Sequence, residues 1–327
     1  MRHPYSLAAT VFAVAATFGS LSQAQAQTTI KIAYALAPNS HYGVAAKSFD
    51  ENLQKLAPGR FKVEQFPSSA LGGERETIES LQLGNLEMVV TSSGPVINFV
   101  PEAGIMDIPF LFRDSAHARA ALDGAPGQEI LSKFPAKGLV ALAWGEQGFR
   151  HLTNSKHAVN TPTDMKGLKV RTMENPVHMT AFRTLGASPT PMAWPEVIQG
   201  LQQGTIDGQE NPMSVIVSAK LSEVQKHLTL SRHVYSPALL VMSKRTFDKL
   251  NDSDKKAVQD AATQAAKDMR AWVDDVEAKA VADVKAAGMQ VVEKVDTASF
   301  QAALAPAFDD YAKRFGKDKI EAIRNFK

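Results

Sequence analysis

Three stretches of strand pattern separated by two stretches of helical pattern dictate how this chain begins. Residues 29–36 alternate and open with β-branched side chains, while 42–56 carry Val44, Ala45, Phe49, Leu53 and Leu56 at helical spacing. Residues 61–66 are strand again. Leu71-Gly72-Gly73-Glu74 then opens a helix that runs to Leu83 and stops at Gly84, and 86–90 form a buried strand ending at Thr91-Ser92-Ser93-Gly94. Parallel neighbours cannot be joined by a tight turn and need a crossover, which a helix supplies, so this order predicts a parallel sheet covered by helices. Ligands of such sheets sit beyond the carboxyl ends of the strands, which selects the loops 38–42, 70–74 and 91–95. His41 in the first loop can donate to a ligand hydroxyl or carboxylate, or be an ordinary half-exposed loop histidine. Glu74 suits a helix N-terminus through the macrodipole alone, and Ser92 and Ser93 read as donors or as turn residues.

A second constellation lies in 167–212. Gly167-Leu168-Lys169-Val170-Arg171 reads as a short buried strand that delivers Arg171 to its end. Asn175 followed by Pro176 is an N-cap with proline at the first helical position, and Gly186 marks where that helix stops. Another helix fits 195–203, stopped by Gly204, and the loop Asp207-Gly208-Gln209-Glu210-Asn211-Pro212 then displays Asn211. An arginine fork supplies paired donors and an amide supplies one more, so Arg171 and Asn211 together can hold one carboxylate. Taken alone, Arg171 would read as a surface or interdomain ion pair.

The linked blocks Gly167 to Arg171, Pro189 to Trp194, Glu196, Leu201-Gln202-Gln203-Gly204 and Asp207 to Pro212 resemble the substrate-binding proteins of TRAP transporters, the DctP-type periplasmic family. The resemblance implies that Arg171 forms a salt bridge with the ligand carboxylate and that Asn211 supports it. It puts Glu74 at the acidic position of the family's Leu-Gly-Gly-Glu block, and Arg150, in Gly148-Phe149-Arg150, at a second arginine near the hinge. The other reading of Arg150 is an ion pair with Glu146. Trp144 and Trp194 are the aromatic candidates for a cleft wall, and Trp194, in the loop before a helix, has the better claim. The run Met106 to Phe112 also recurs in the family and is assigned to core.

The implied fold is α/β, a two-lobe periplasmic binding protein in which each lobe is a sheet flanked by helices. Residues 27–148 plus about 237–276 would form lobe I, and 149–236 plus about 277–327 lobe II. Residues 138–144 and 238–242 are strands at the crossings. A helix over 251–287, about 35 residues and roughly 50 Å long, would span both lobes. Its apolar stripe, Val258, Ala262, Ala265, Met269, Trp272 and Val276, could alternatively be a coiled-coil seam.

The first 26 residues carry Arg2 and His3, an apolar stretch over 7–18 shorter than a spanning helix, and the small-residue site Ala24-Gln25-Ala26, which together predict a removed signal peptide and a periplasmic protein. With no cysteine in 327 residues, there is no disulfide framework, thiolate metal site or lipid attachment. The formal charge of +2 gives no electrostatic case for nucleic acid or anionic membrane. Nucleophile-elbow, zinc-protease, P-loop and dinucleotide spacings are absent, so no enzyme and no cofactor is expected. An acid-base pair such as Asp207 and Glu210 would need no motif. The expected partners are a small organic acid (C4-dicarboxylate, sugar acid, or aromatic or 2-oxo acid) and the small and large TRAP membrane subunits, with the receptor a monomer. A receptor for an ATP-driven importer or sensor is the alternative, and a periplasmic enzyme acting on carboxylates a weaker one.

Overall fold

The structure, a computed structural model, describes residues 27–327; the signal peptide read from 1–26 lies outside them. Nine strands form one mixed sheet: β1 (Thr28–Tyr34), β2 (Phe61–Phe66), β3 (Met88–Ser92), β4 (Leu139–Asn154), β5 (Lys169–Thr172), β6 (Ser188–Pro191), β7 (Gly208–Pro212), β8 (His227–Ser243) and β9 (Gln290–Val292). Their order is β2-β1-β3-β8-β4-β7-β5-β6, with β9 beside β8. β1 runs parallel to β2 and β3, and β5 parallel to β6 and β7, as crossover helices require.

Two strands belong to both lobes. The last residues of β8 pair with β3, from Met88↔Met242 to Ser92↔Ala238, whereas its first residues pair with β9. β4 lies antiparallel to β8 from Leu139↔Ser243 to Asn154↔His227 and pairs with β7 only over Arg150 to Asn154. The strand expected at 138–144 therefore continues to Asn154. Pairing with β8 satisfies the backbone through the polar stretch Glu146-Gln147, beyond the end of the apolar pattern at Trp144. The ladder slips register between Glu146 and Gly148, where Gly148 takes φ +110°, and again between Arg150 and Leu152.

Two further departures follow from backbone pairing. β6 contains Pro189 and Pro191, which read as loop, yet it is the edge strand, where a missing N–H faces no partner. Asn211, expected on a loop, lies on β7 opposite His151.

The helix His41–Leu56 is capped by the Ser40 side chain, and the helix Glu74–Leu83 ends at Gly84 with φ 80°. The long helix Asp252–Ala286, 35 residues, is capped by Asn251. Its first half buries Ala257, Val258, Ala261, Ala262, Ala265 and Met269 in a cluster with Phe49 and Leu53, while Ala280 and Val284 join Val197, Leu201 and Ile216 in the other lobe. The stripe is thus consumed within the chain, and the helix spans both lobes rather than offering a dimer seam. After it, Phe300 packs with Leu152 and Phe182. Leu304, Ala307, Tyr311, Ile320 and Ile323 pack instead with Ile105, Ala118 and Leu122 of the first lobe. Among the described residues no helix is long and apolar enough to cross a membrane.

Candidate ligand-binding cleft

Between the lobes lies a narrow cleft bordered by Tyr42, Glu74 and Ser92 on one side, Arg171, Met173, Trp194 and Asn211 on the other, and Gln147 from β4. β5 places Arg171 opposite Gln209 of β7 and Thr190 of β6. The side chain is 3% exposed. Its Nε donates to the Met192 carbonyl at 2.9 Å, and its guanidinium carbon stands 5.9 Å from the centre of the Trp194 ring. Among the described residues no carboxylate lies within ion-pair distance of it. Burial, reinforced by repulsion from Arg150, lowers the Arg171 pKa to about 10. Arg171 remains charged at neutral pH, so it is a buried cation bordering the cleft.

Arg150 behaves differently. It is fully buried on β4, and its guanidinium pairs with Glu210 through Nε and, at 2.9 Å, through one terminal nitrogen. The same group donates to Asn211 Oδ1 at 3.2 Å and to Ser236 Oγ at 3.1 Å. Burial alone would push the Glu210 carboxyl up, but Arg150, with His233 and His178, holds it well below the ordinary carboxylate range. Arg150 thus pairs with Glu210 rather than with Glu146, which binds Arg119 at 2.5 Å, and it does not border the cleft. Its contact among the cleft-bordering residues is Asn211, whose amide nitrogen donates to Gln209. Asp207 and Glu210 do not form an acid-base pair: Asp207 accepts from the Lys169 amide at 2.9 Å and lies 3.3 Å from Lys156.

On the first lobe, one oxygen of Glu74 accepts from Tyr42 Oη (3.1 Å), Thr91 Oγ1 (3.1 Å) and the Ser92 amide (2.7 Å). Its other oxygen carries no hydrogen bond among the described residues, which leaves an acceptor at the cleft. His41 turns away. It is fully buried against Trp272 of the long helix, 6.0 Å between ring centres, and burial lowers its pKa to about 3. Trp144 is core, bonded through Nε1 to the Gly127 carbonyl at 3.2 Å. Tyr42, Gln147 and Met173 border the cleft without having been singled out by sequence. Tyr42 adjoins His41 at the same helix start, Gln147 belongs to a polar pair inside a buried strand, and Met173 follows Arg171 by two residues.

The lobes meet around this cleft, which retains about 20 Å³ of free volume. Ser92 Oγ donates to Met173 Sδ at 3.2 Å, and Asn98 Nδ2 to the Glu174 carbonyl at 2.8 Å. Buried Asp107 of the first lobe accepts from Ser93 Oγ at 2.7 Å and from Asn175 Nδ2 at 2.8 Å. Asn175 is itself fixed, because its Oδ1 caps the helix Pro176–Thr184. Burial raises the Asp107 carboxyl to about 6 in spite of these two donors. The two lobes thus touch through Ser92 and Met173, Asn98 and Glu174, and Asp107 and Asn175.

Residues 32–314 match the model of bacterial extracellular solute-binding protein family 7, DctP. A solute-binding protein of Verminephrobacter eiseniae is 57% identical over 302 residues, covering 92% of this chain and 90% of that protein. A TRAP periplasmic solute-binding protein of Polaromonas sp. JS666, solved bound to D-erythronate, is 55% identical, covers 92% of this chain and 99% of its own, and superposes with a TM-score of 0.91. One from Bordetella bronchispeptica, with density assigned to pantoate, is likewise 55% identical, covers 92% and 100%, and has a TM-score of 0.90. With an arginine-lined interlobe cleft and these similarities over nearly all of its described length, the chain belongs to bacterial extracellular solute-binding protein family 7, the DctP family of TRAP-type receptors.

Proposed function

We propose that this chain is the periplasmic receptor of a TRAP transporter for a short hydroxylated monocarboxylic acid, which it hands to the small and large membrane subunits. The observation that carries the reading is Arg171: a buried guanidinium facing the cleft with no protein counter-ion, an arrangement that favours binding a carboxylate. In this reading Asn211 supports that carboxylate, Arg150 orients Asn211 from behind, and Trp194 walls the carbon chain.

The rest of the cleft argues for hydroxyls over a second carboxylate. Arg150, the other cation at hand, is committed to Glu210, and the opposite wall presents Glu74 with an unused acceptor oxygen. A ligand hydroxyl can donate to Glu74, whereas a second carboxylate would meet a like charge. The two similar structures cited carry D-erythronate and pantoate, both hydroxylated monocarboxylates on a four-carbon chain. Closure follows because such a ligand touches Glu74 on one lobe and Arg171 on the other only when they are together. The lobes divide near Gly148 and Pro237, and the helices after Leu304 pack on the first lobe. No bond-breaking chemistry is assigned.

A thermal-shift screen of residues 27–327 tests this. D-erythronate or pantoate at 100 times its dissociation constant adds about 2.7 kcal/mol of stability. Succinate and neutral sugars are expected to leave the midpoint in place, and Arg171→Ala to weaken acid binding more than tenfold. Shifts with neutral solutes alone, or unchanged acid affinity in Arg171→Ala, would overturn the reading.

A further inference from the structure

A second cavity, of about 850 Å³, shares no lining residue with the cleft. It opens between the segment 108–113 of the first lobe, the crossing strands at Phe149 and Arg232, and the C-terminal helices Thr297–Ala303, Ala305–Phe315 and Lys317–Arg324. Its size falls in the range of about 300 to 1,000 Å³ typical of small-molecule sites.

Arg232 is set at this cavity by a distortion of the sheet. Opposite His151, strand β8 inserts residues 230–233 between its pairings Val234↔Arg150 and Thr229↔Leu152. Within this bulge Arg232 adopts φ 46°, a left-handed conformation that a side chain of its size rarely takes. The result turns Arg232 out of the ladder and lays its guanidinium 4.1 Å from the centre of the Phe149 ring. That group is exposed and carries no hydrogen bond or ion pair among the described residues. A second strained residue, Phe110 with φ 54°, borders the same cavity, held by a bond from its amide to the His233 carbonyl at 2.8 Å. Phe308 and Tyr311 supply further aromatic wall. Of the other cations at the cavity, Arg113 binds the carbonyls of Arg324 and Phe326, and Lys317 lies 3.8 Å from Glu321. The exposed Arg324 guanidinium carries no ion pair among the described residues and has no aromatic ring beneath it in the cavity wall to fix it as Phe149 fixes Arg232.

We propose that this cavity is a second ligand site, for a carboxylate with an apolar, aromatic body: the ring lies among Phe110, Phe308 and Tyr311, and the carboxylate pairs with the edge of Arg232. The stacked face of Arg232 leaves its N–H edge free for a forked contact. Two strained residues, Phe110 on the first lobe's segment 108–113 and Arg232 on the crossing strand β8, hold the aromatic wall and the cation in register.

Isothermal titration of residues 27–327 with 3-phenylpropionate tests the site, with 3-phenylpropionamide as the uncharged control. Binding is expected to persist in Arg171→Ala, which disables the cleft, to weaken about tenfold or more in Arg232→Gln, and to vanish in Ala312→Trp, which fills the cavity from its helical wall. The amide should bind the unaltered protein about as weakly as the acid binds Arg232→Gln. Unchanged thermal midpoints of the variants certify their folds. The proposal is overturned if millimolar 3-phenylpropionate gives no heat, if Arg171→Ala abolishes its binding, or if neither Arg232→Gln nor Ala312→Trp alters it.

Discussion

Asp107→Asn is expected to make the protein more stable at neutral pH and to remove part of its acid response. Asp107 titrates at about 6 in the folded chain against an ordinary 3.8, chiefly because burial disfavours its charge. Between those values the folded state holds a proton that the unfolded state has released, so stability falls as pH rises from about 4 to about 6 and stays lowered above that. About 2 pH units at about 1.4 kcal/mol each give a penalty on the order of 3 kcal/mol at pH 7. Asparagine carries no charge to desolvate, and both existing contacts can be kept. Its Oδ1 can accept from Asn175 Nδ2, which cannot flip because Asn175 Oδ1 is committed to the helix cap. Its Nδ2 can donate to Ser93 Oγ, since a hydroxyl accepts as readily as it donates. Urea denaturation of both proteins from pH 4 to 8 isolates this carboxyl in the difference curve, because Glu277, Glu210 and the buried histidines contribute to both. The variant should gain stability at pH 7, and the gain should shrink toward zero near pH 4. A difference that is flat across that range, or a variant less stable at pH 7, would refute the account of Asp107 as a buried charge.

Three other outcomes follow from the same geometry. Glu210→Ala leaves Arg150 buried without its carboxylate and should cost about 3 to 5 kcal/mol in urea denaturation; an unchanged midpoint would contradict the pairing. Gly148→Ala forces φ +110° on a residue with a Cβ, which would lie 2.3 Å from Glu277 Oε1, and should cost about 1 to 3 kcal/mol. Adding Glu277→Ala should recover the collision and leave the backbone part, so full recovery or none would be inconsistent with two separate causes. Glu74→Gln keeps an acceptor for Tyr42, Thr91 and the Ser92 amide while removing the charge, so calorimetry should show succinate affinity rising relative to D-erythronate. A ratio that does not move would mean Glu74 has no part in selection.

Local pattern made much of the fold legible. The alternation of strands and helices through 29–90 is set by apolar spacing and by the stop at Gly84, which depend on neighbours a few residues away. β6 was hidden by its own prolines, which only an edge position tolerates, and edge position is a property of the whole sheet. The continuity of β4 was hidden for the same reason: its polar centre is held by β8, some 90 residues later. In the site, Arg171, Asn211, Glu74 and Trp194 come to the cleft, while Arg150 and His41 do not border it. What withdrew Arg150 is Glu210, 60 residues away, close enough in space to consume the fork. His41 is drawn under Trp272 by helix phase, leaving Tyr42 at the cleft. Each miss came from a partner distant in sequence, which apolar spacing and capping signals do not encode.

Strands β4 and β8 also fix the order in which this molecule can be assembled. The first lobe's β3 has no neighbour on its inner side until residues 238–242 arrive, and β4 cannot complete its ladder until Ser243 meets Leu139. A chain ending before His227 would therefore leave β3 and the long β4 each with an unpaired edge, the kind of surface that aggregates. Folding must wait for contacts between residues a hundred positions apart, which makes it slow compared with helical proteins of local topology. Because one late strand closes both halves, neither lobe is an autonomous folding unit, and the protein should melt in a single transition despite having two lobes.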